Sequence, residues 1–332
     1  MLEKPLISDS AIIDGLRDGY GIATTELAFL PIGNDNNSWV YRADAADGSS
    51  YFVKLKKGAV YPPSLSVPHL LRGLGIAQVV APLPALDGTL SQTVGDFTLI
   101  AYPFVDAHDC WQTGLTDSQW VEFGDIFRRI HAATVPPTIT LERDSFIPRL
   151  DGMIPRLDAL VQRGGHSGAR AAFAAAWAEH RADIGRLEMR VHELAALLQS
   201  SPPPLVLCHT DCHFGNTLVS PRGEVYIVDW DGPLLAPKER DLSYLPVERD
   251  DHPLFEGYGR PPIDWTALAY YRFERIVADI AEYGRCVFFM DDVGEVTKLD
   301  AVHGFNVLFN PTDMAGLAAA EGMMQNTSTK VQ

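Results

Sequence analysis

The stretch from Pro204 to Leu242 reads PLVLCHTDCHFGNTLVSPRGEVYIVDWDGPLLAPKERDL. Its apolar and β-branched runs predict three strands, Leu205-Val206-Leu207, Thr217-Leu218-Val219 and Val225-Tyr226-Ile227-Val228. The last two flank the turn Ser220-Pro221-Arg222-Gly223 and form a hairpin. Asp211 falls in the loop after the first strand, Asn216 just before the second and Asp229 just after the third. A hairpin folds the chain back on itself, so Asn216 and Asp229 can converge on one cation while Asp211 stays close by. Oxygen donors of this kind suit Mg²⁺, which takes few protein ligands and keeps its waters. A separate carboxylate can orient an attacking hydroxyl and accept its proton. These are the parts that phosphoryl transfer from a nucleotide requires.

The same stretch brings Cys208, His209, Asp211, Cys212 and His213 together, which admits a second reading as a metal centre. Zinc sites pair C-x₂₋₄-C with further ligands elsewhere, and no second Cys or His pair stands at comparable spacing. The C-x-x-C-H haem signature is missed by one residue. Small buried cysteines flanking another function are the favoured alternative. With Cys110 and Cys286 the chain has four cysteines in 332 residues, too few for a disulfide framework.

Outward from this stretch the pattern divides. Before it, Ser10 to Asp18 reads as a short amphipathic helix with Ile12, Ile13 and Leu16 on one side. Leu27–Leu30, Trp39–Ala43, Tyr51–Leu55, Leu90–Val94 and Phe97–Tyr102 read as strands, with a helix inserted near Leu65–Leu74. From Thr116 the periodicity is helical: Thr116 and Gln119 fit a capping box, and Trp120, Phe123, Phe127 and Ile130 follow at helical spacing. Arg170–Gln199 and Thr266–Phe289 read as long helices. A β-rich segment followed by a helical one with a single hairpin is an α+β arrangement.

The set His209-x-Asp211-x₄-Asn216 followed by Val228-Asp229-Trp230 resembles the catalytic and metal-binding loops of the protein-kinase-like fold. It is similar to the aminoglycoside phosphotransferase and choline kinase family in particular. Asp229-Trp230-Asp231-Gly232-Pro233, Leu235–Leu242 and Tyr270–Gly284 resemble the spectinomycin phosphotransferases of that family, as do Tyr51–Lys56 and Ile100–Phe104. The resemblance implies a bilobal fold: a small antiparallel β-sheet N-lobe over residues 1–105 with a hinge at 102–105, a mainly helical C-lobe over 106–325, and a disordered tail at 326–332. It implies Asp211 as catalytic base, Asn216 and Asp229 as Mg²⁺ ligands, and Lys54 on the α- and β-phosphates of ATP or GTP. It also implies that Gly33, Asn34, Asp35 and Asn37 cover the phosphates and that Pro103 and Val105 meet the adenine. His209 would brace the catalytic loop, and Asp241 would bond its backbone. Kinases usually pair the strand lysine with a helix glutamate, yet residues 57–86 contain no Asp or Glu. Either Lys54 finds another anion or the nucleotide alone positions it.

The formal net charge is −16, which repels nucleic-acid backbones and anionic membranes. It suits a cationic small molecule. Residues 241–300 hold 13 acidic and 6 basic residues, and carboxylates there such as Asp279 and Glu282, with Asp231 ahead of them, would draw in a diamino substrate of the aminocyclitol kind. The alternative for Asp279 and Glu282 is a solvated helix face, spaced as they are with Arg272, Arg275 and Arg285. No apolar leader or long apolar run is present, so a cytoplasmic protein is expected. Oligomeric state is open, with a monomer as the expectation. Neither G-x-x-x-x-G-K-[ST] nor H-E-x-x-H occurs. Same-fold kinases of choline, a sugar or another antibiotic, and a nucleotide-binding pseudokinase, are the rival readings.

Overall fold

The computed structural model describes residues 4–32, 37–245, 247, 251–291 and 293–309. Gly33, Asn34 and Asp35 of the expected phosphate loop, and the expected tail 326–332, lie outside them. In chain order the elements are α1 (Asp9–Tyr20), β1 (Thr24–Leu30), β2 (Ser38–Ala45), β3 (Ser50–Lys57), α2 (Pro63–Gly73), β4 (Gln92–Val94), β5 (Phe97–Pro103), β6 (His108–Asp109) and α3 (Asp117–His131). There follow α4 (Met153–Arg163), α5 (Gly168–Ser200), β7 (Val206–Cys208), the 3₁₀ turn η1 (Phe214–Asn216), β8 (Thr217–Val219), β9 (Val225–Ile227) and β10 (Leu234–Ala236). The last described elements are α6 (Glu239–Leu242), α7 (Leu254–Tyr258), α8 (Trp265–Phe289) and α9 (Glu295–Val307). The fold is mixed α+β, as the sequence implies. Its chain divides into two compact units, one of Met1–Glu142, Val206–Leu235 and Glu248–Arg260, the other of Arg143–Leu205, Ala236–Val247 and Pro261–Gln332.

In the first unit β1-β2-β3-β5-β4 form an antiparallel sheet. Side chains alternate across a strand, so one face carries Tyr41, Val53, Leu55, Leu99 and Ala101 and buries them with Ile12 and Leu16 of α1. Ser8 caps that helix by accepting from the Ala11 N–H, and Gly21, at φ 71°, ends it in the left-handed conformation. Register puts Val40, Lys54 and Ile100 side by side on the opposite face. Lys54 therefore points away from the apolar core. Helix α2 is buried through Leu65, Val67, Pro68 and Leu71 and has no acidic residue in its first turn. In α3 the Thr116–Gln119 capping box forms as read from the sequence. Helix α7 crosses α3 at close range, where a Cβ on Gly124 would overlap the Leu254 carbonyl.

A second small sheet, β6-β8-β9, holds the hairpin. Its outer strand is tied into the rest of the unit: the Val80 N–H donates to the Ile227 carbonyl at 3.0 Å and the Ile227 N–H to the Gln78 carbonyl at 2.9 Å. On the other side His108 and Asp109 pair with Val219 and Leu218.

The second unit is helical. Its core gathers Phe173, Trp177 and Leu194 from α5, Tyr270, Phe273 and Val287 from α8, and Phe305 from α9. The buried Trp177 places its indole N–H on Asp158 at 2.8 Å. A buried ion pair, Arg240 to Asp144 at 2.8 Å, is joined by the Tyr271 hydroxyl at 3.1 Å.

Candidate active site

The β8–β9 ladder pairs Thr217 with Ile227 and continues one step further, the Val228 N–H donating to the Asn216 carbonyl at 3.1 Å. That bond sets Asn216 opposite the residue before Asp229. The Asn216 amide nitrogen is spent on Asp211, reaching its carbonyl at 2.8 Å and its Oδ2 at 3.3 Å. Its Oδ1, rather than its nitrogen, is thereby the atom suited to a cation. These contacts join Asn216 directly to Asp211, and to the chain one residue before Asp229.

Lys54 reaches the same place from β3. Its ammonium lies 3.0 Å from Asp229 Oδ1 and 2.9 Å from Asp231 Oδ1, and Lys56 adds a contact to Asp231 Oδ2 at 2.8 Å. The lysine side chain is 11% exposed, whereas those of Asp229 and Asp231 are 47% and 39% exposed. The ammonium is enclosed and its carboxylates open to solvent, an arrangement that can exchange partners. Burial pulls Lys54 toward its neutral form, but the charges of Asp229 and Asp231 outweigh it and hold the pKa above that of an ordinary lysine. Burial likewise raises the Asp231 carboxyl, and the attraction of Lys54 and Lys56 brings it below the usual aspartate value. Asp231 and Asp229 thus supply the anions that residues 57–86 lack.

His209, fully buried, joins the two loops. Its Nδ1 accepts the Asp211 N–H at 3.2 Å and its Nε2 lies 2.9 Å from the Val228 carbonyl. This network assigns the proton of the neutral ring to Nε2. Two residues beside it hold uncommon backbone conformations, Thr210 at φ 83° and Asp229 at φ 62°. A β-branched residue there is strained, and the Thr210 hydroxyl steadies it by donating to the Gly232 carbonyl at 3.0 Å. Strain of this kind concentrates where function demands it. Trp230 between the two acids turns inward, 4% exposed, against His209.

The remaining expected residues are placed as follows. The Asn37 carbonyl accepts from the Lys57 N–H at 2.9 Å, extending the β2–β3 ladder. Pro103 ends β5 opposite Tyr51, and Val105 follows half-buried outside any strand. Asp241 is fully buried on α6 in the second unit. Asp279 and Glu282 lie on α8 and pair with Arg275 at 3.8 Å and Arg285 at 2.5 Å on their own helix. Sequence reasoning gave no role to Lys56 or Trp111, weighed His213 only as part of a Cys/His metal cluster, and read Asp231 only as an acceptor contact. The available signal for Asp231 was its spacing: in Asp229-Trp230-Asp231 one aromatic residue separates two acids, and burial of that residue keeps both acids out of the core. The four cysteines are buried and form no disulfide. No described helix is long and apolar enough to cross a membrane.

Comparison with known proteins adds to this geometry. Residues 26–271 match the phosphotransferase enzyme family. The structure is similar to that of the spectinomycin phosphotransferase APH(9)-Ia in complex with ADP and spectinomycin, with a TM-score of 0.87 and 33% identity over 96% of this chain and 99% of that one. Protein StrN of Streptomyces griseus is 28% identical over 303 residues, 85% of this chain and 88% of its own length. Choline kinase LicA from Streptococcus pneumoniae, at 16% identity over 90% of this chain and 99% of its own, shares the fold with a TM-score of 0.57. The chain belongs to the phosphotransferase enzyme family and acts on an alcohol group.

Proposed function

We propose that this protein transfers the γ-phosphoryl group of ATP or GTP to a hydroxyl of a cationic aminocyclitol, spectinomycin or a close relative. The observation that carries the reading is the meeting of Lys54 with Asp229, and of Asn216 with Asp211, the two pairs linked through the backbone bond from Val228 to Asn216. The acceptor oxygen attacks the γ-phosphorus, its proton passes to the Asp211 carboxylate, and the bond from the γ-phosphorus to the bridging oxygen breaks to release the nucleoside diphosphate. Asn216 Oδ1, on a buried side chain, and the half-exposed Asp229 carboxylate are hard oxygen donors that fit Mg²⁺, which when bound neutralises phosphate charge. Lys54 exchanges a carboxylate for phosphate oxygen, and its enclosure strengthens that attraction. The chain at Pro103–Val105 meets the base. His209 braces the loop that carries Asp211. Asp279 and Glu282 offer charge to the ammonium groups of the acceptor, each already shared with an arginine.

The test is transfer of labelled phosphate from ATP or GTP to a panel of spectinomycin, other aminocyclitols, choline and sugars. Labelled spectinomycin is the expected product. Transfer to choline or a sugar instead replaces the acceptor, and nucleotide binding with transfer to no acceptor makes the protein a pseudokinase.

A further inference from the structure

The loop after Asp211 carries a histidine that the reaction as written above does not use. His213 stands just before η1, and its Nδ1 accepts the Gly215 N–H at 3.0 Å. That bond assigns the proton of the neutral ring to Nε2. Nε2 lies 3.6 Å from Asp211 Oδ2, the same oxygen that the Asn216 amide approaches at 3.3 Å. The first distance is longer than a hydrogen bond, so the contact is a through-space attraction between the imidazole edge and the carboxylate. With the Asn216 amide bonded to Oδ2 and the imidazole Nε2 close to it, both side chains bear on the rotation of the carboxylate about its Cβ–Cγ bond.

The imidazole is itself held. Trp111 stacks on it with ring centroids 5.4 Å apart and planes 27° apart. The tryptophan is positioned by the β6 segment: the Cys110 N–H donates to the Phe214 carbonyl at 3.1 Å, and the Trp111 N–H to Asp109 Oδ1 at 3.1 Å. Gly215 makes the stack possible. A Cβ there would stand 2.6 Å from Trp111 Nε1 and 2.8 Å from His213 Cε1, closer than side chains tolerate. The backbone at Gly215 is not left-handed, so space rather than conformation calls for glycine.

We propose that His213 is a positioning residue for Asp211, aiming the carboxylate at the acceptor hydroxyl, with Trp111 and Gly215 holding the imidazole in place. The proposal rests on the reading of Asp211 as proton acceptor. His213→Asn keeps an acceptor near the Nδ1 position, and with it the bond to Gly215, but loses the donor at Nε2. His213→Gln places an amide nitrogen near the Nε2 position and gives up the Gly215 bond. Both are compared with wild type and combined with Asp211→Asn, using the acceptor found in the transfer assay and measuring kcat, KM for nucleotide and Tm.

Asp211→Asn lowers kcat by about 10²–10⁴. His213→Asn lowers kcat by about ten- to a hundredfold with nucleotide KM and Tm unchanged, the size of loss that misplacing a reacting group brings. His213→Gln keeps more of kcat, though its Tm falls. In the Asp211→Asn background His213→Asn has no further effect, because the group it positions is gone. Wild-type kcat for His213→Asn, or an equal loss in both backgrounds, reduces His213 to a cap of η1 and overturns the proposal while leaving Asp211 as the base. Wild-type turnover for Asp211→Asn removes the base reading itself, and this proposal with it.

Discussion

Two clusters of buried charge, one in each unit, have opposite characters. In the helical unit Arg240 and Asp144 are enclosed together, with side chains 11% and 8% exposed, and the Tyr271 hydroxyl and the Phe146 N–H complete the bonding of the carboxylate. Both signs are sealed in, and the contact is architecture. In the first unit the cation alone is enclosed, and Asp229 and Asp231, around Lys54, are open to solvent. There a visiting cation or anion can take over one partner without opening the core. The lesson is that burial of charge does not by itself mark a site; the asymmetry of burial within the cluster does.

The sharpest way to break this comparison is Asp229→Ala. Metal-dependent turnover is expected to vanish while Tm moves little, since Lys54 retains Asp231; a titration of Mg²⁺ against rate checks it, and unchanged metal dependence removes Asp229 from the ligand set. Asp144→Ala should do the reverse. Leaving Arg240 buried without its carboxylate costs about 3–5 kcal/mol by analogy with broken buried pairs, readable as a drop in denaturant midpoint. A loss of stability below about 1 kcal/mol, the range of surface pairs, would mean that the cluster is as open as its counterpart.

Asp231→Asn sharpens the contrast. Lys54 keeps Asp229, so stability should fall by only about 0–1 kcal/mol, as for solvent-exposed pairs, while nucleotide KM rises because the ammonium loses a guide. Equal instability for Asp231→Asn and Asp144→Ala would erase the distinction between the clusters. The smallest effect is expected for Glu282→Gln, where an exposed pair within one helix turn contributes about 0.3–0.5 kcal/mol. Its informative readout is acceptor KM: a rise places Glu282 against the ammonium groups of the acceptor, and an unchanged value leaves it a solvated partner of Arg285.

The long amphipathic and β-branched segments were legible. The strands around Tyr41, Val53 and Leu99, the capped helix at Thr116 and the hairpin at 217–228 stand where their patterns put them. Helices α4 and α9 were not read. Gly152 ahead of α4 offers no side-chain cap, and α9 is interrupted by Val296, Thr297, Val302 and Gly304. Packing on α8 stabilises both where local propensity is weak. Strand β6, two residues long, has too few side chains to show a period. Of the candidate site residues, the proximity of Asp211, Asn216 and Asp229 was open to sequence reading because a loop and the hairpin that follows it carry all three. The partners of Lys54 were not, since they lie 175 and 177 residues away.

The amino-acid order alone determined the inventory: oxygen donors spaced across a hairpin, a lysine within a strand, a helix without acids behind it, and an acidic chain suited to cationic ligands. These follow from local propensity, turn chemistry and composition, which act over a few residues. Tertiary structure decided the pairings. Strand register turned Lys54 away from the apolar face, the β8–β9 ladder set Asn216 opposite Val228, the residue before Asp229, and ring packing over Gly215 brought Trp111 onto His213. Such contacts depend on distances between segments remote along the chain, and short-range preferences carry no information about them.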